Sequence, residues 1–227
     1  MVAAGPDRIC SRFSVVQVPP ARWRSKPMGY GSGRDALVRA VIEIVAEKGL
    51  QGLTHRAVAA RAGVNHALVG HHFGSMDGLL AAATELAVER AITETGLAGT
   101  SDFDQGFADL MLASLSADPE IELFQAQMVL EAPRRPEIRA LVERLYSSYI
   151  TAIEDRLRAR GTNLSAGEHR ELARVVFAAL NGLVLQFLAV GSPEPIRAAI
   201  VELGVLLKNM WPEEIQLPDC SAAAEGN

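Results

Sequence analysis

A chain of 227 residues, 49 % hydrophobic and 5 % aromatic, holds apolar side chains enough for the core of one large globular, soluble domain or two small ones. Its formal net charge of −5 excludes a uniformly basic nucleic-acid coat, but the charge is unevenly spread: residues 1–80 carry 10 Lys plus Arg against 5 Asp plus Glu, and the remainder 12 against 22. A basic segment joined to an acidic body is the pattern that phosphate attraction confined to one end requires.

Residues 1–33 carry four prolines and no sustained period, and read as a disordered basic arm. The opening MVAAGPDRICSRF has charges and a proline where a secretory signal needs an apolar run, so a cytoplasmic location is expected. Cys10 in the arm and Cys220 in the tail suit a reducing compartment better than a disulfide framework.

From Arg34 onward Leu37, Val41, Ile44 or Val45 and Lys48 recur at helical spacing, and Gly49 ends the run. Thr54 suits the N-cap of a short second helix reaching Ala62, Asn65 that of a third reaching Phe73, and Ser75 that of a fourth whose first turn holds Asp77. Long amphipathic helices follow over about 76–98, 103–116, 119–132, 136–160, 165–190 and 195–211, separated by proline, glycine and cap residues, with no β-alternation competing. The apolar stretch 175–190 is broken by Asn181, Gly182 and Gln186 and is shorter than the roughly 20 residues of a membrane span, so burial against protein is expected and no membrane partner. The fold class is all-α, about nine helices: a disordered basic arm (1–33), a three-helix helix-turn-helix domain (34–80), a larger helical domain (81–212) and a flexible tail (213–227).

The segment THRAVAARAGVNHALVGHHFGSMDGLL, residues 54–80, has the layout of a DNA reader. Small Ala59 lets two helix axes approach, Gly63 takes a positive φ at the turn, and Val58 with Val69 closes a small core beneath it. Together with the succession Gly63, Val64, Asn65, Val69, His71, His72, Phe73, Ser75, Asp77 and Leu79, this segment resembles the tetracycline-repressor (TetR) family of transcription regulators. The resemblance covers residues 34–80 by motif and the rest by helix count and order. It departs from the family pattern at Gly70, where an aromatic that reaches the DNA backbone is usual, and at Met76, where a lysine is usual. Gly70 also costs roughly 1 kcal/mol of intrinsic helix stability.

A recognition helix presents its amino-terminal residues to the major groove, which selects Asn65, His66, Ala67, Leu68 and His71 for base edges. Arg56 matches a family position that reaches DNA, Thr54 and His55 suit phosphate, and Gly70 and His72 complete the expected DNA-binding set, with His72 and Phe73 equally open to a structural role. Protonation of these histidines would make binding weaken as pH rises through the histidine range. Four of five histidines fall between 55 and 72, yet no pair has i, i+4 spacing, so neither a metal site nor a cofactor is expected.

The resemblance implies a ligand-responsive regulator, a repressor that binds a palindromic operator as a homodimer and is released by a small, apolar effector. The last two helices would pair with their symmetry mates, through Phe177, Leu180, Val184, Phe187 and Leu188, then Ile200, Leu203 and Leu207, with Ile196, Leu206 and Met210 adding apolar surface. Phe103, Phe107, Met111, Phe124, Gln127, Met128, Tyr146, Tyr149 and Asn181 are the cavity candidates. Two rivals remain: a helical enzyme, for which no nucleophile with a base or phosphate loop is found, and a small-molecule-binding protein whose degenerate head docks protein.

Overall fold

The computed structural model describes residues 32–65, 67–99, 102–161 and 164–210. The basic arm as far as residue 31, the tail from 211 onward and His66 lie outside the described residues, and the last two residues assigned to the arm, Ser32 and Gly33, belong to the first helix. Among those described the chain forms α1 (Ser32–Lys48), α2 (His55–Ala62), α3 (Ala67–Phe73), α4 (Met76–Glu94), α5 (Gln105–Ala117), α6 (Pro119–Glu131), α7 (Pro136–Ala159), α8 (Ala166–Val190) and α9 (Pro193–Met210), with one 3-10 turn at Leu50–Gly52 and no strand.

Local chemistry sets most of these boundaries. Thr54, Ser75, Asp104 and Ser165 each accept the backbone N–H three residues ahead, and Glu168 reaches back to Ser165 to complete a capping box. Asn65 Oδ1 accepts from the N–H of Ala67 at 3.0 Å and so opens α3. Gly63, at φ 67° and ψ 29°, closes α2 in the left-handed region that its missing Cβ makes accessible. Several ends differ from the periodic reading: α1 and α9 each begin two residues early, at Ser32 and Pro193. α4 stops at Glu94 rather than near 98, because Gly96 turns left-handed at φ 68°, and α5 begins at Gln105 rather than 103, because Asp104 is its cap.

α1 is apolar nearly all round. Leu37, Val38, Ala40, Val41, Ile42, Ile44 and Val45 are all buried, since α2, α4 and α6 pack on different sides of it. The core runs without a break from α1 to α9, and α4 carries the chain across position 80, so the expected boundary between head and body falls inside a continuous helix. In the body α7 lies against α4, α6 and α8, and α9 against α5 and α8. Gly204 is what lets α9 approach α5: a Cβ there would stand 2.0 Å from the carbonyl oxygen of Phe103.

The expected burial of 175–190 is only half met. α8 has 25 residues and an 18-residue window of mean hydropathy 1.8, enough by length and composition to cross a membrane, and 22 % of that window is buried. Its inner side packs on the body, while Val175, Leu185 and Val190 stand exposed on the other.

Candidate DNA interface and ligand cavity

α2 and the turn that follows it form a shallow hollow lined by His55, Arg56, Ala59, Ala60, Val64 and Asn65, so three of the expected DNA-contacting residues, His55, Arg56 and Asn65, come together. Thr54 is exposed beside them with its oxygen accepting from the N–H of Ala57. On α3, Ala67, Gly70, His71 and His72 are exposed, Val69 is fully buried, and Leu68 is half-buried against the core. Gly70 faces open space. Met76 packs partly into the core, which gives its apolar side chain a structural reason.

The unit is clamped to α1 from two sides. Arg61 of α2 donates to Glu43 at 2.9 Å and to Glu47 at 2.6 Å, which removes it from the cations available to phosphate. Arg34 lies over the ring of Phe73 at 5.1 Å, at the other end of the unit. Gly78 allows α4 to leave α3 sharply, because a Cβ there would lie 2.3 Å from the carbonyl oxygen of Phe73.

In the body α4 to α8 enclose a cavity of about 190 Å³. Of the expected lining residues, Phe107, Met111, Tyr146, Tyr149 and Asn181 reach it. Phe103, Phe124 and Met128 do not; they are buried in the core beside it, and Gln127 lies off the cavity wall. The periodic reading missed Glu122 and Gln125 on α6, and Phe177, Leu180 and Val184 on α8, all of which line the cavity. Tyr149 and Phe177 stack at 5.3 Å and 20°, Tyr146 meets Phe177 edge-on at 5.2 Å, and the Tyr149 hydroxyl donates to Gln125 Oε1 at 3.0 Å. Glu122 is half-buried on the cavity wall, and burial of its carboxyl pushes it up to about 7.

Arg156 of α7 fastens the cavity to the end of α4. Its guanidinium donates to the carbonyls of Gly96 at 2.7 Å, Leu97 at 3.2 Å and Asp102 at 2.8 Å, and sits in the corner made by the perpendicular rings of Phe103 and Phe107, 4.6 Å from each. Burial draws its pKa down, with Asp104 and Asp102 opposing.

The expected dimer residues are covered to different degrees within the single chain. Leu180, Val184, Ile200 and Leu207 are buried within the single chain, and Phe177, Phe187, Leu188 and Leu203 are half-buried against its core. The exposed apolar side of the last two helices carries Val175, Val190 and Leu185, the last also bordering the cavity, on α8, and Val205 with the expected Leu206 and Met210 on α9. The sequence reading thus mixes residues of the inward face with two of the outward one.

Comparison with known proteins agrees with this architecture. The family model of bacterial regulatory proteins of the tetR family matches residues 37–83, and that of the tetracyclin repressor-like C-terminal domain matches residues 98–205, so the two together span more than half of the chain. The chain is 29 % identical over 178 residues to the HTH-type transcriptional regulator BetI of Burkholderia mallei, covering 74 % of this chain and 87 % of the relative. It is 36 % identical over 67 residues to the HTH-type transcriptional regulator Mb3439c of Mycobacterium bovis, covering 30 % of this chain and 36 % of the relative. Among solved structures, a TetR-family regulator from Rhodococcus sp. superposes with a TM-score of 0.66 at 24 % identity, covering 78 % of this chain and 99 % of that one, a likeness of fold. The multidrug binding protein EbrR, solved with proflavin, superposes with a TM-score of 0.53 at 26 % identity, covering 77 % and 99 %. With helix-turn-helix, body and both family models aligned in the same order along the sequence, the chain belongs to the TetR family of bacterial transcriptional regulators.

Proposed function

We propose that this regulator is a cytoplasmic repressor that binds a palindromic operator as a homodimer and releases it when a small molecule occupies the cavity. The observation that carries the reading is α4: one helix leaves α3 at Gly78 and runs unbroken to Ala91, which lines the cavity wall. A change in cavity shape therefore reaches the DNA-reading unit through a rigid element.

His55, Arg56 and Asn65 face a common hollow, and α3 offers Ala67 and His71 beside it, which suits a recognition helix lying in a major groove with α2 against the backbone. The outward apolar faces of α8 and α9 suit a four-helix seam between two copies. EbrR carries proflavin in its own structure, which favours a small-molecule effector.

A binding selection on random duplex DNA with the purified full-length protein tests the reading. Enrichment of a palindrome with half-sites about 34–36 Å apart, and a steep loss of affinity with salt, is expected. Arg56→Ala and His71→Ala should each cost about 1–3 kcal/mol on the selected site and less on scrambled DNA. Absence of any enriched sequence would defeat the repressor reading.

A further inference from the structure

The cavity wall carries one group that apolar packing does not explain. Glu122 is the single charged side chain among the described lining residues, which are otherwise apolar, aromatic, hydroxyl or amide. Its carboxyl is perturbed by burial alone, with no hydrogen bond or neighbouring cation to hold it. An unpaired carboxylate in such surroundings is costly, and it persists where something else supplies the counter-charge. The same cavity holds an aromatic corner, Tyr149 stacked on Phe177 and Tyr146 edge-on to the same ring, with Tyr149 close enough to feel the Glu122 charge. Aromatic faces next to a buried acid attract cations and repel anions. Gln125, whose Oε1 is taken by Tyr149, has a buried Nε2 with no partner, a donor left over for an acceptor atom.

Building on the effector-cavity reading above, we propose that the ligand is a monovalent organic cation with a flat or apolar body, its charge met by Glu122 and its body held by Tyr146, Tyr149 and Phe177. The Gln125 amide orients any acceptor atom it bears. Since the empty site holds Glu122 near a pKa of about 7, cation binding drives its proton off, and affinity rises between pH 6 and 8. Tyr146 and Tyr149 on α7 are the other titratable groups of the lining. Both are pushed up by burial and stay neutral in that range, while α4, α5 and α8 contribute none.

The test is fluorescence titration of the full-length protein with proflavin, a planar cation, and acridone, a planar neutral compound of similar outline. Proflavin should bind roughly tenfold or more tightly than acridone at pH 8, and Glu122→Gln should erase that preference and the pH dependence of proflavin binding. Calorimetry on the unaltered protein at pH 6, in two buffers of different ionisation enthalpy, should detect close to one proton released per proflavin bound, a readout independent of the variant's folding. Equal affinity for the two compounds, or no proton release, would overturn the proposal. Operator release, measured separately, keeps the two readings apart. If acridone frees the selected DNA and proflavin does not, the cation proposal falls and the repressor stands. If proflavin binds through Glu122 and no DNA is selected, the reverse holds.

Discussion

Arg156 holds the ring of Phe107 face-on at 4.6 Å, and so joins a cavity residue to the turn that ends α4. Because the same guanidinium serves the carbonyls of Gly96, Leu97 and Asp102, Arg156→Met should leave three acceptors without their donor and lower stability by about 3 kcal/mol or more. Arg156→Lys, which keeps the charge but not the fork, should recover less than half of that. Chemical denaturation monitored by circular dichroism measures both; an unchanged midpoint in the methionine variant would deny Arg156 this role.

The glycines of the head make opposite predictions. Gly70 faces open space on an exposed helix surface, so Gly70→Ala should raise stability by roughly 0.5–1 kcal/mol. Gly78→Ala must displace the backbone of Phe73 and should cost several times as much. Gly70→Tyr, restoring the aromatic that the family pattern favours, should tighten operator binding without changing base preference, as read by titration on the selected site and on scrambled duplex.

On α9, two adjacent leucines separate association from folding. Leu206 is 54 % exposed and Leu207 3 %. Leu206→Glu should yield a folded monomer, seen by analytical ultracentrifugation with helical content intact, whereas Leu207→Glu should unfold the chain because it buries an unpaired charge. A dimer that survives Leu206→Glu would place the interface elsewhere.

The carboxyl of Glu122 gives a pH-dependent prediction of definite sign. Its folded pKa of about 7 lies above the ordinary value of 4.5, so between those values the folded chain retains a proton that the unfolded chain has lost. Stability therefore falls as pH rises through this window, and the penalty is complete above pH 7. Glu122→Gln removes it, and should stabilise the empty protein by roughly 1–3 kcal/mol at pH 8 and by almost nothing near pH 4.5. Thermal melts at the two values provide the comparison, and equal gains at both would show that Glu122 ionises normally.

The head was legible because its instructions are local. Thr54, Asn65 and Ser75 each act within three residues of themselves, and Gly63 answers to its own backbone. The same holds for the order and extent of α5 to α9. The cavity and the outer face were harder. An acid in the first turn of a helix, as Glu122 is in α6, reads as a partner for the helix dipole; that it borders a cavity is decided by α7 and α8, far away in sequence. On α8, Phe177, Leu180 and Val184 compete with Val175 and Val190, two apolar stripes on one helix, with Leu185 at the border between them. Size favours the first as a surface for pairing, but the larger side chains went inward, where they fill more volume.

α4 also sets a mechanical ratio. Its 19 residues, at 1.5 Å each, make a rod of about 28 Å with one end at the cavity and the other at the turn into α3, so a tilt of about 5° would carry the far end about 2.5 Å. With Arg156 and the Arg90–Asp118 ion pair pinning the cavity end, that end is the fulcrum. Under the proposed release mechanism the helix would act as a lever, its short stroke spent inside the protein and its long stroke at the DNA-reading unit.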